Sequence, residues 1–173
     1  MYKRQKLDGT DSSLEDMEDA LDRQYYSYAL KVSKGKDSNI HLMKYIKTEI
    51  DHRNIINQFR ELRQNISPDK RLQMVIPGGR IPQSVMSQVS QAMSSEAIVD
   101  TLRRSNAFDD TGFDEAIEKS EETGSLDPIA TLLTHKRHAI LRRFAYLNPV
   151  SAFPVIYYIC LLYTSDAADE TGR

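Results

Sequence analysis

The sequence has little cysteine and no long hydrophobic run. Among its 173 residues the only cysteine is Cys160, so disulfide, zinc and thiol-nucleophile interpretations have no support. The longest apolar stretch, residues 150–163, is interrupted by Pro154 and is too short to span a bilayer. The basic start, residues 1–6, is not followed by the apolar run of a signal peptide. We therefore expect a soluble chain in the cytoplasm.

Strong charge of one sign is also missing. The formal net charge is −2, and 28% of the residues are charged while 40% are hydrophobic. Binding of nucleic acid by bulk electrostatics requires a basic surface, which this balance does not supply. The apolar content is enough for a buried core of about one domain. The composition therefore favours a globular protein that does not bind nucleic acid.

Helical periodicity dominates the pattern, and no segment alternates for long enough to form a convincing strand. Asp37 or Ser38 is expected to begin a long helix that no proline or glycine interrupts up to about residue 64. Ser67-Pro68 then breaks the pattern, Pro82 suits a first helical position, and Ser94 or Ser95 begins a later helix. The sequence predicts an all-α fold with helices at about 12–32, 38–64, 82–93, 95–105, 113–123 and 126–146.

The first predicted helix carries apolar residues at spacings of three and four. These residues are Leu14, Met17, Leu21, Tyr25, Tyr28 and Val32. Tyr25 and Tyr28 could form a stacking platform, but their place on this face favours a role in the core or at an interface. Because a helix pair cannot bury such a face alone, neighbouring units are expected to cover it.

The chain also repeats itself. Ser125-Leu126-Asp127 matches Ser13-Leu14-Glu15 at an offset of 112 residues, and residues 155–159 match residues 42–46 at an offset of 113. An internal repeat of this kind indicates stacked helical units. We divide the chain into a loop at 1–11, a complete unit at 12–107 and a truncated second copy at 108–159. The truncated copy should be poorly covered.

The last residues match nothing in the first copy. Residues 160–173, which include Cys160, resemble the translated read-through of a transposase adapter used for sequencing libraries. We interpret them as a non-native cloning or assembly scar and exclude them from the fold prediction. Met1 is then interpreted as an internal start, and the chain as an internal fragment of a gene.

Two basic or glycine-rich segments are candidates for binding. The segment Ile76-Pro77-Gly78-Gly79-Arg80 could hold an anion, but it lacks the strand, the helix and the Lys-Ser or Lys-Thr of a phosphate loop. A tight connection with close backbone approach is the favoured interpretation. His135-Lys136-Arg137-His138 is a weak metal signal. A solvated basic face, paired with the glutamates of the helix at 113–123, is favoured instead.

Polar residues in the middle of the long helix require an explanation. Asp51, Asn54 and Arg60 lie where aspartate and asparagine are intrinsically unfavourable. They are expected either to bond to a neighbouring helix or to lie under another protein of an assembly. No serine, histidine and carboxylate arrangement suggests a nucleophile. The sequence therefore predicts no catalytic activity, no bound cofactor and no metal site.

Three motifs in order carry a family resemblance. They are LExMExxLDRxYY from Leu14 to Tyr26, IDxxNIxxxxR from Ile50 to Arg60, and IPGG from Ile76 to Gly79. Together they resemble the C subunit of the archaeal and bacterial A/V-type ATP synthases, whose vacuolar ATPase equivalent is the d subunit. The resemblance covers about residues 10–159.

The resemblance implies a fold and a role. That family is funnel-shaped, with three helical units around a pseudo-threefold axis, and about one and a half units are present here. It is a non-catalytic socket between the rotating central shaft and the membrane proteolipid ring, on the cytoplasmic face of the membrane, and it transmits torque for proton or sodium transport. The resemblance makes Asp51, Asn54, Arg60, Pro77, Gly78 and Gly79 the signature positions, either as possible contacts with other subunits or as internal supports.

Two other functions remain open from the sequence. The first is an unrelated α-helical repeat adaptor that binds partner helices in a groove. The second is an anion or nucleotide binder that uses Gly78, Gly79 and Arg80.

Overall fold

The computed structural model describes residues 14–34, 40–106 and 108–171. All regular structure in these ranges is α-helical, which confirms the predicted all-α class. The eight helices of the described ranges are α1 (Leu14–Ser33), α2 (Ile40–Arg63), α3 (Pro68–Gln73), α4 (Gln83–Ser90), α5 (Ser95–Ser105), α6 (Phe113–Thr123), α7 (Asp127–Leu147) and α8 (Phe153–Thr171).

Most helix ends lie close to their predicted positions. Ser94 is the N-cap of α5 and accepts a hydrogen bond from the backbone N–H of Ala97 at 3.2 Å. Gly124 ends α6 with a φ of +68°, a conformation that favours glycine. The predicted helix starts at residues 12–13 and 37–38 lie outside the described residues. Pro82 is an N-cap rather than the first helical residue.

The sequence analysis missed one helix, α3. Ser67-Pro68 was predicted to break the helical pattern, but Pro68 begins α3. Proline is tolerated in the first turn of a helix because the N–H that it lacks would have no intrahelical partner there. The break in the pattern is therefore a junction between two helices.

α2 is the central element of the fold. It packs against α1, α5 and α7, and buried residues lie on more than one of its faces. At 1.5 Å per residue its 24 residues extend over about 36 Å. Because neighbours surround it, polar side chains of α2 are also buried, and they require partners inside the protein.

The largest core cluster joins α2 to α4, α5, α6 and α7. Phe59 of α2 stacks against Phe113 of α6 with ring centroids 6.5 Å apart, and Phe108 contacts Phe113 edge-on at 5.4 Å. Residues from both sides of position 107, where we divide the two units, contribute to this cluster. The two segments therefore share one hydrophobic core.

The prediction for the packing face of α1 was wrong in part. Tyr25 and Tyr28 are 58% and 68% exposed, whereas the neighbouring Tyr26 is buried against Ile46, Ile50 and Ile76. Met17, Leu21 and Val32 are also exposed. α2 contacts α1 on the side that carries Tyr26, about 100° around the helix from Tyr25. The apolar face read from the sequence points away from the described core.

α8 is covered on one side. Phe153, at its start, packs with Tyr45 of α2 and with Leu141 and Phe144 of α7. Val155, Tyr158 and Ile159 are exposed. α7 and α8 pack together as α1 and α2 do, at the positions where the repeat places corresponding helices.

Candidate functional site

One face of α2 carries four buried polar side chains. Asp51, Asn54, Gln58 and Glu61 follow one another at spacings of three, four and three residues, which places them on one side of the helix. We call these four residues the polar stripe. They lie against residues 71–81, which include the end of α3 and the turn before α4, called here the 76–81 turn.

Asp51 holds the end of the 76–81 turn through its carboxylate. The backbone N–H of Arg80 donates to both carboxylate oxygens at 3.0 Å, and the N–H of Ile81 donates to Oδ1 at 3.1 Å. The residue is only 4% exposed. Burial raises the pKa of Asp51 to about 6, although the two N–H groups act to lower it. The Asp51 carboxylate thus accepts the hydrogen bonds that these two N–H groups could otherwise donate to a bound phosphate.

The two glycines are required for this contact. A Cβ atom on Gly79 would lie 2.1 Å from Oδ1 of Asp51, so the carboxylate would have to shift. Gly78 has a φ of +101°, and a Cβ atom there would lie 2.4 Å from Cδ1 of Leu30 on α1. The favoured sequence interpretation, a tight connection with close backbone approach, agrees with this geometry. The N–H groups of Arg80 and Ile81, which follow the glycines, are bonded to Asp51 and are therefore not free to bind an external anion.

Asn54 fixes the start of the same turn. Its Nδ2 donates to the carbonyl oxygen of Ile76 at 2.9 Å, and the N–H of Ile76 donates to its Oδ1 at 2.8 Å. The side-chain amide therefore satisfies both backbone groups of one buried residue, as a neighbouring strand would. Asp51 and Asn54 together attach both ends of the turn to α2.

The other half of the polar stripe surrounds Arg71 of α3. Nε2 of Gln58 donates to Oε2 of Glu61 at 3.0 Å and to the carbonyl oxygen of Arg71 at 3.1 Å. Arg71, 1% exposed, donates to the carbonyl oxygen of Ala92 at 2.7 Å and to that of Val89 at 3.3 Å. Burial, with a smaller effect of Asp19, raises the pKa of Glu61 to about 7, against the lowering effect of Arg71.

The structure brings five of the six signature positions together. Asp51 and Asn54 bond to the turn that contains Pro77, Gly78 and Gly79. Arg60 is exposed and lies off the polar stripe. Sequence analysis identified the helix positions and the turn separately, but it missed Gln58, Glu61 and Arg71. Gln58 and Glu61 continue the same helical spacing from Asn54, which was the available signal.

The basic segment on α7 pairs differently from the prediction. Nζ of Lys136 lies 2.6 Å from Oδ2 of Asp109, and Nη1 of Arg137 lies 3.7 Å from Oε1 of Glu49. The α6 glutamates were expected to be the partners, but Glu115 pairs within its own helix with Lys119 at 2.7 Å. Within residues 14–34, 40–106 and 108–171, no cluster of three or more histidine, cysteine, aspartate and glutamate side chains could hold a metal ion.

His52 lies beside the polar stripe and faces α7. Its ring contacts Phe108 edge-on at 5.9 Å and is hydrogen-bonded to the backbone of Leu133. Its Nδ1 has no hydrogen-bond partner among the described residues. Burial, together with the positive charges of Arg137 and Lys136, lowers the pKa of His52 to about 4.

The depressed pKa of His52 predicts an acid-sensitive contribution to stability. In the unfolded chain the imidazole takes up a proton near pH 6.5, but in the folded protein it does so only near pH 4. Its contribution is therefore present above pH 6.5 and is lost as the pH falls toward 4. Asp51 and Glu61 act in the opposite direction, because their pKa values are raised. A substitution of His52 is therefore needed to separate its pH-dependent contribution to stability from those of Asp51 and Glu61.

We expect the stability advantage of the wild type over His52→Gln to shrink by about 2–3 kcal/mol between pH 7 and pH 4.5. Urea unfolding of both proteins at the two pH values measures this difference. His135→Gln, which removes an exposed imidazole from α7, is the matched control. A wild-type advantage that is the same at both pH values would contradict the assignment.

Comparison with known proteins identifies the family. The family model described as ATP synthase (C/AC39) subunit matches residues 3–164, which is most of the chain. The chain belongs to this family. The match includes α1 to α7 and the first part of α8, and with them the whole polar stripe and the 76–81 turn. Family membership removes the alternative of an unrelated helical repeat adaptor.

A curated relative supports the same assignment. The C subunit of the A-type ATP synthase of Methanococcoides burtonii is 27% identical over 157 residues, which cover 89% of this chain. The chain spans 42% of the length of that relative. No solved structure gives a significant match. Among the described residues, no helix is long and apolar enough to cross a membrane.

Proposed function

We propose that this chain is a non-catalytic subunit of the central stalk of an A/V-type ATP synthase. In this role it links the rotating shaft to the membrane proteolipid ring and transmits torque for proton or sodium transport. It would be peripheral, on the cytoplasmic face of the membrane. The observation that carries the proposal is the family match over residues 3–164, in a family whose members are subunits of ATP synthases.

The buried contacts of α2 support a mechanical role. A part that transmits torque must resist bending, and the polar stripe attaches the 76–81 turn and α3 to the central helix through buried hydrogen bonds. Hydrogen bonds of buried polar groups fix a single arrangement, since breaking one leaves an unpaired group in the protein interior. We infer that Asp51, Asn54, Gly78 and Gly79 are internal supports.

The exposed signature positions are better placed for contacts with partners. Pro77 is on the outer side of the turn, and Arg60 is exposed near the end of α2. Neither side chain has a hydrogen bond or ion pair within the described part of the chain. We propose that these two residues contact another protein of the complex or a further part of a longer C subunit.

The exposed apolar faces of α1 and α8 fit a larger assembly. Tyr25, Tyr28 and Leu21 on α1, and Val155 and Tyr158 on α8, leave large apolar side chains in water. The chain spans less than half of its curated relative. We propose that further helical units, arranged around a pseudo-threefold axis with the units at 12–107 and 108–159, cover these faces.

Co-purification tests the assignment to the central stalk. The gene that encodes this chain is tagged in its source organism, and membranes are solubilised in a mild detergent. We expect the tagged protein to bring down the proteins of the central shaft and the proteolipid ring in constant proportion, as measured by mass spectrometry. Recovery of the tagged protein alone, or with partners that are unrelated to the ATP synthase, would contradict the proposal.

Substitution of Arg60 by glutamate separates the contact role from the structural role. Because Arg60 is exposed, Arg60→Glu should leave the unfolding free energy within about 0.5 kcal/mol of the wild type. Arg63→Glu is not a suitable control, because Arg63 bonds to the carbonyl oxygens of Ser120 and Gly124. Arg142→Glu, on the exposed surface of α7, is the better control. Reduced co-purification for Arg60→Glu alone supports the contact.

A further inference from the structure

An open cavity of about 550 Å³ lies between α2, the segment after α5, and α7. Three cationic residues from distant parts of the chain line it, namely Arg80 of the 76–81 turn and Lys136 and Arg143 of α7. His52 and Phe108 also contribute to its wall. Cavities of this size commonly hold small molecules and cofactors. The central-stalk proposal assigns no task to this cavity.

The two carboxylates that line the cavity already have partners. Asp51 accepts the N–H groups of Arg80 and Ile81. Asp109 accepts hydrogen bonds from Nζ of Lys136 at 2.6 Å and from Oγ1 of Thr111 at 2.7 Å. These contacts lower the pKa of Asp109 to about 2, so its negative charge is kept and neutralises Lys136.

The arginine side chains that line the cavity differ from Lys136 in their contacts, although the charge of Arg80 also acts to lower the pKa of Asp51. Neither the Arg80 nor the Arg143 guanidinium forms an ion pair or a side-chain hydrogen bond within the described part of the chain. Both residues are exposed and can meet a ligand that enters from the solvent. The guanidinium group binds phosphate oxygens in a bidentate way. The cavity lining thus carries three cationic side chains and two carboxylates, so one positive charge remains without a matching carboxylate in the wall.

We propose that this cavity binds a small soluble anion with more than one phosphate group, held by Arg80 and Arg143. Two guanidinium groups and a cavity of this volume suit a diphosphate better than a single phosphate. The mode of binding differs from the one considered in the sequence. The backbone N–H groups of Arg80 and Ile81, which follow the two glycines, are bonded to Asp51 and do not reach the ligand. Side chains supply the contacts instead. The proposal does not rest on the role in the rotary complex.

Titration with inorganic pyrophosphate tests the site. The full chain is titrated by isothermal calorimetry at constant ionic strength, with sodium chloride replacing pyrophosphate in the reference. We expect saturable 1:1 binding. Arg80→Gln and Arg143→Gln should each weaken the affinity at least about tenfold, because each removes a charge-assisted contact with phosphate. Arg142→Gln removes the same charge from the neighbouring exposed position, which does not line the cavity, and should change the affinity less than about twofold.

Two results would overturn the proposal. One is the absence of binding up to about 10 mM pyrophosphate, judged by both calorimetry and thermal stabilisation. The other is equal weakening by all three substitutions, which would indicate attraction to the positive charge of the surface in general and not to a defined site. Since Arg80→Gln could disturb the 76–81 turn, the NMR signals of the His52 ring in the wild-type chain give a second readout. They should shift saturably with pyrophosphate, and unchanged His52 signals in the presence of binding would place the anion elsewhere.

Discussion

Gly79→Ala should destabilise the chain by about 3–5 kcal/mol. The added Cβ would lie 2.1 Å from Oδ1 of Asp51, so the carboxylate would have to move away. Moving it would leave the buried N–H of Ile81 and the N–H of Arg80 without their acceptor, at a cost of about 1–3 kcal/mol for each group. Overpacking adds about 1–3 kcal/mol where relaxation is incomplete. Urea unfolding, followed by circular dichroism at 222 nm, measures the change.

Gly124→Ala is the matched control for this substitution. Gly124 has a positive φ of +68°, unlike Gly79, but a Cβ there would meet nothing within 4 Å. Only the cost of the backbone conformation remains, about 1 kcal/mol. A double substitution identifies the cause. Asp51→Ala removes the atom that the new Cβ meets, so the effects of Gly79→Ala and Asp51→Ala should be less than additive. Additive effects would show that the clash with Asp51 is not the source of the loss.

Arg71→Ala should cost about 3–5 kcal/mol, the second large effect. The guanidinium is buried, donates to the carbonyl oxygens of Ala92 and Val89, and is the cation with the largest effect on the pKa of Glu61. Its removal leaves two buried carbonyl groups without their donor, and it takes a positive charge away from the buried carboxyl group of Glu61, which keeps only its hydrogen bond from Gln58. Thermal and urea unfolding at pH 8, where Glu61 is largely ionised, should show the effect most clearly.

Lys70→Ala provides the control for Arg71→Ala. Lys70 is the neighbouring residue of α3 and is exposed, so its truncation should change the unfolding free energy by less than about 0.5 kcal/mol. Glu61→Gln should partly rescue Arg71→Ala, because a neutral amide does not need a cation in the interior. If the double variant were as unstable as Arg71→Ala alone, the effect of the Arg71 charge on Glu61 would not be a reason for the loss.

Much of the helical pattern could be predicted from the sequence, because local signals determine it. Ser94, Gly124 and the uninterrupted period of α2 define helix ends and lengths through contacts between residues that are close in the chain. Pro68 was misread because proline both ends helices and begins them. For the apolar face of α1 the sequence left core and interface open, because periodicity shows which residues share a face and does not show which face a neighbouring element covers.

The candidate site could be predicted only in pieces. The positions of Asp51 and Asn54 in the middle of a helix, and the turn at Gly78 and Gly79, each indicated something unusual. Their contact joins residues that are 22–30 positions apart, and nothing local specifies such a pairing. Nothing in the sequence marks Arg71 as buried, since its burial depends on α4 and on the segment before α5. Long-range packing decided these roles.

The role in torque transmission is tested most directly by the number of ions transported for each ATP hydrolysed. The measurement compares inverted membrane vesicles from cells that lack the gene for this chain with vesicles from cells in which the gene is restored. We expect the vesicles without the gene to hydrolyse ATP but to take up no protons or sodium ions, and restoration of the gene to recover uptake. ATP-driven uptake at the normal ratio in the absence of the gene would contradict the proposed role.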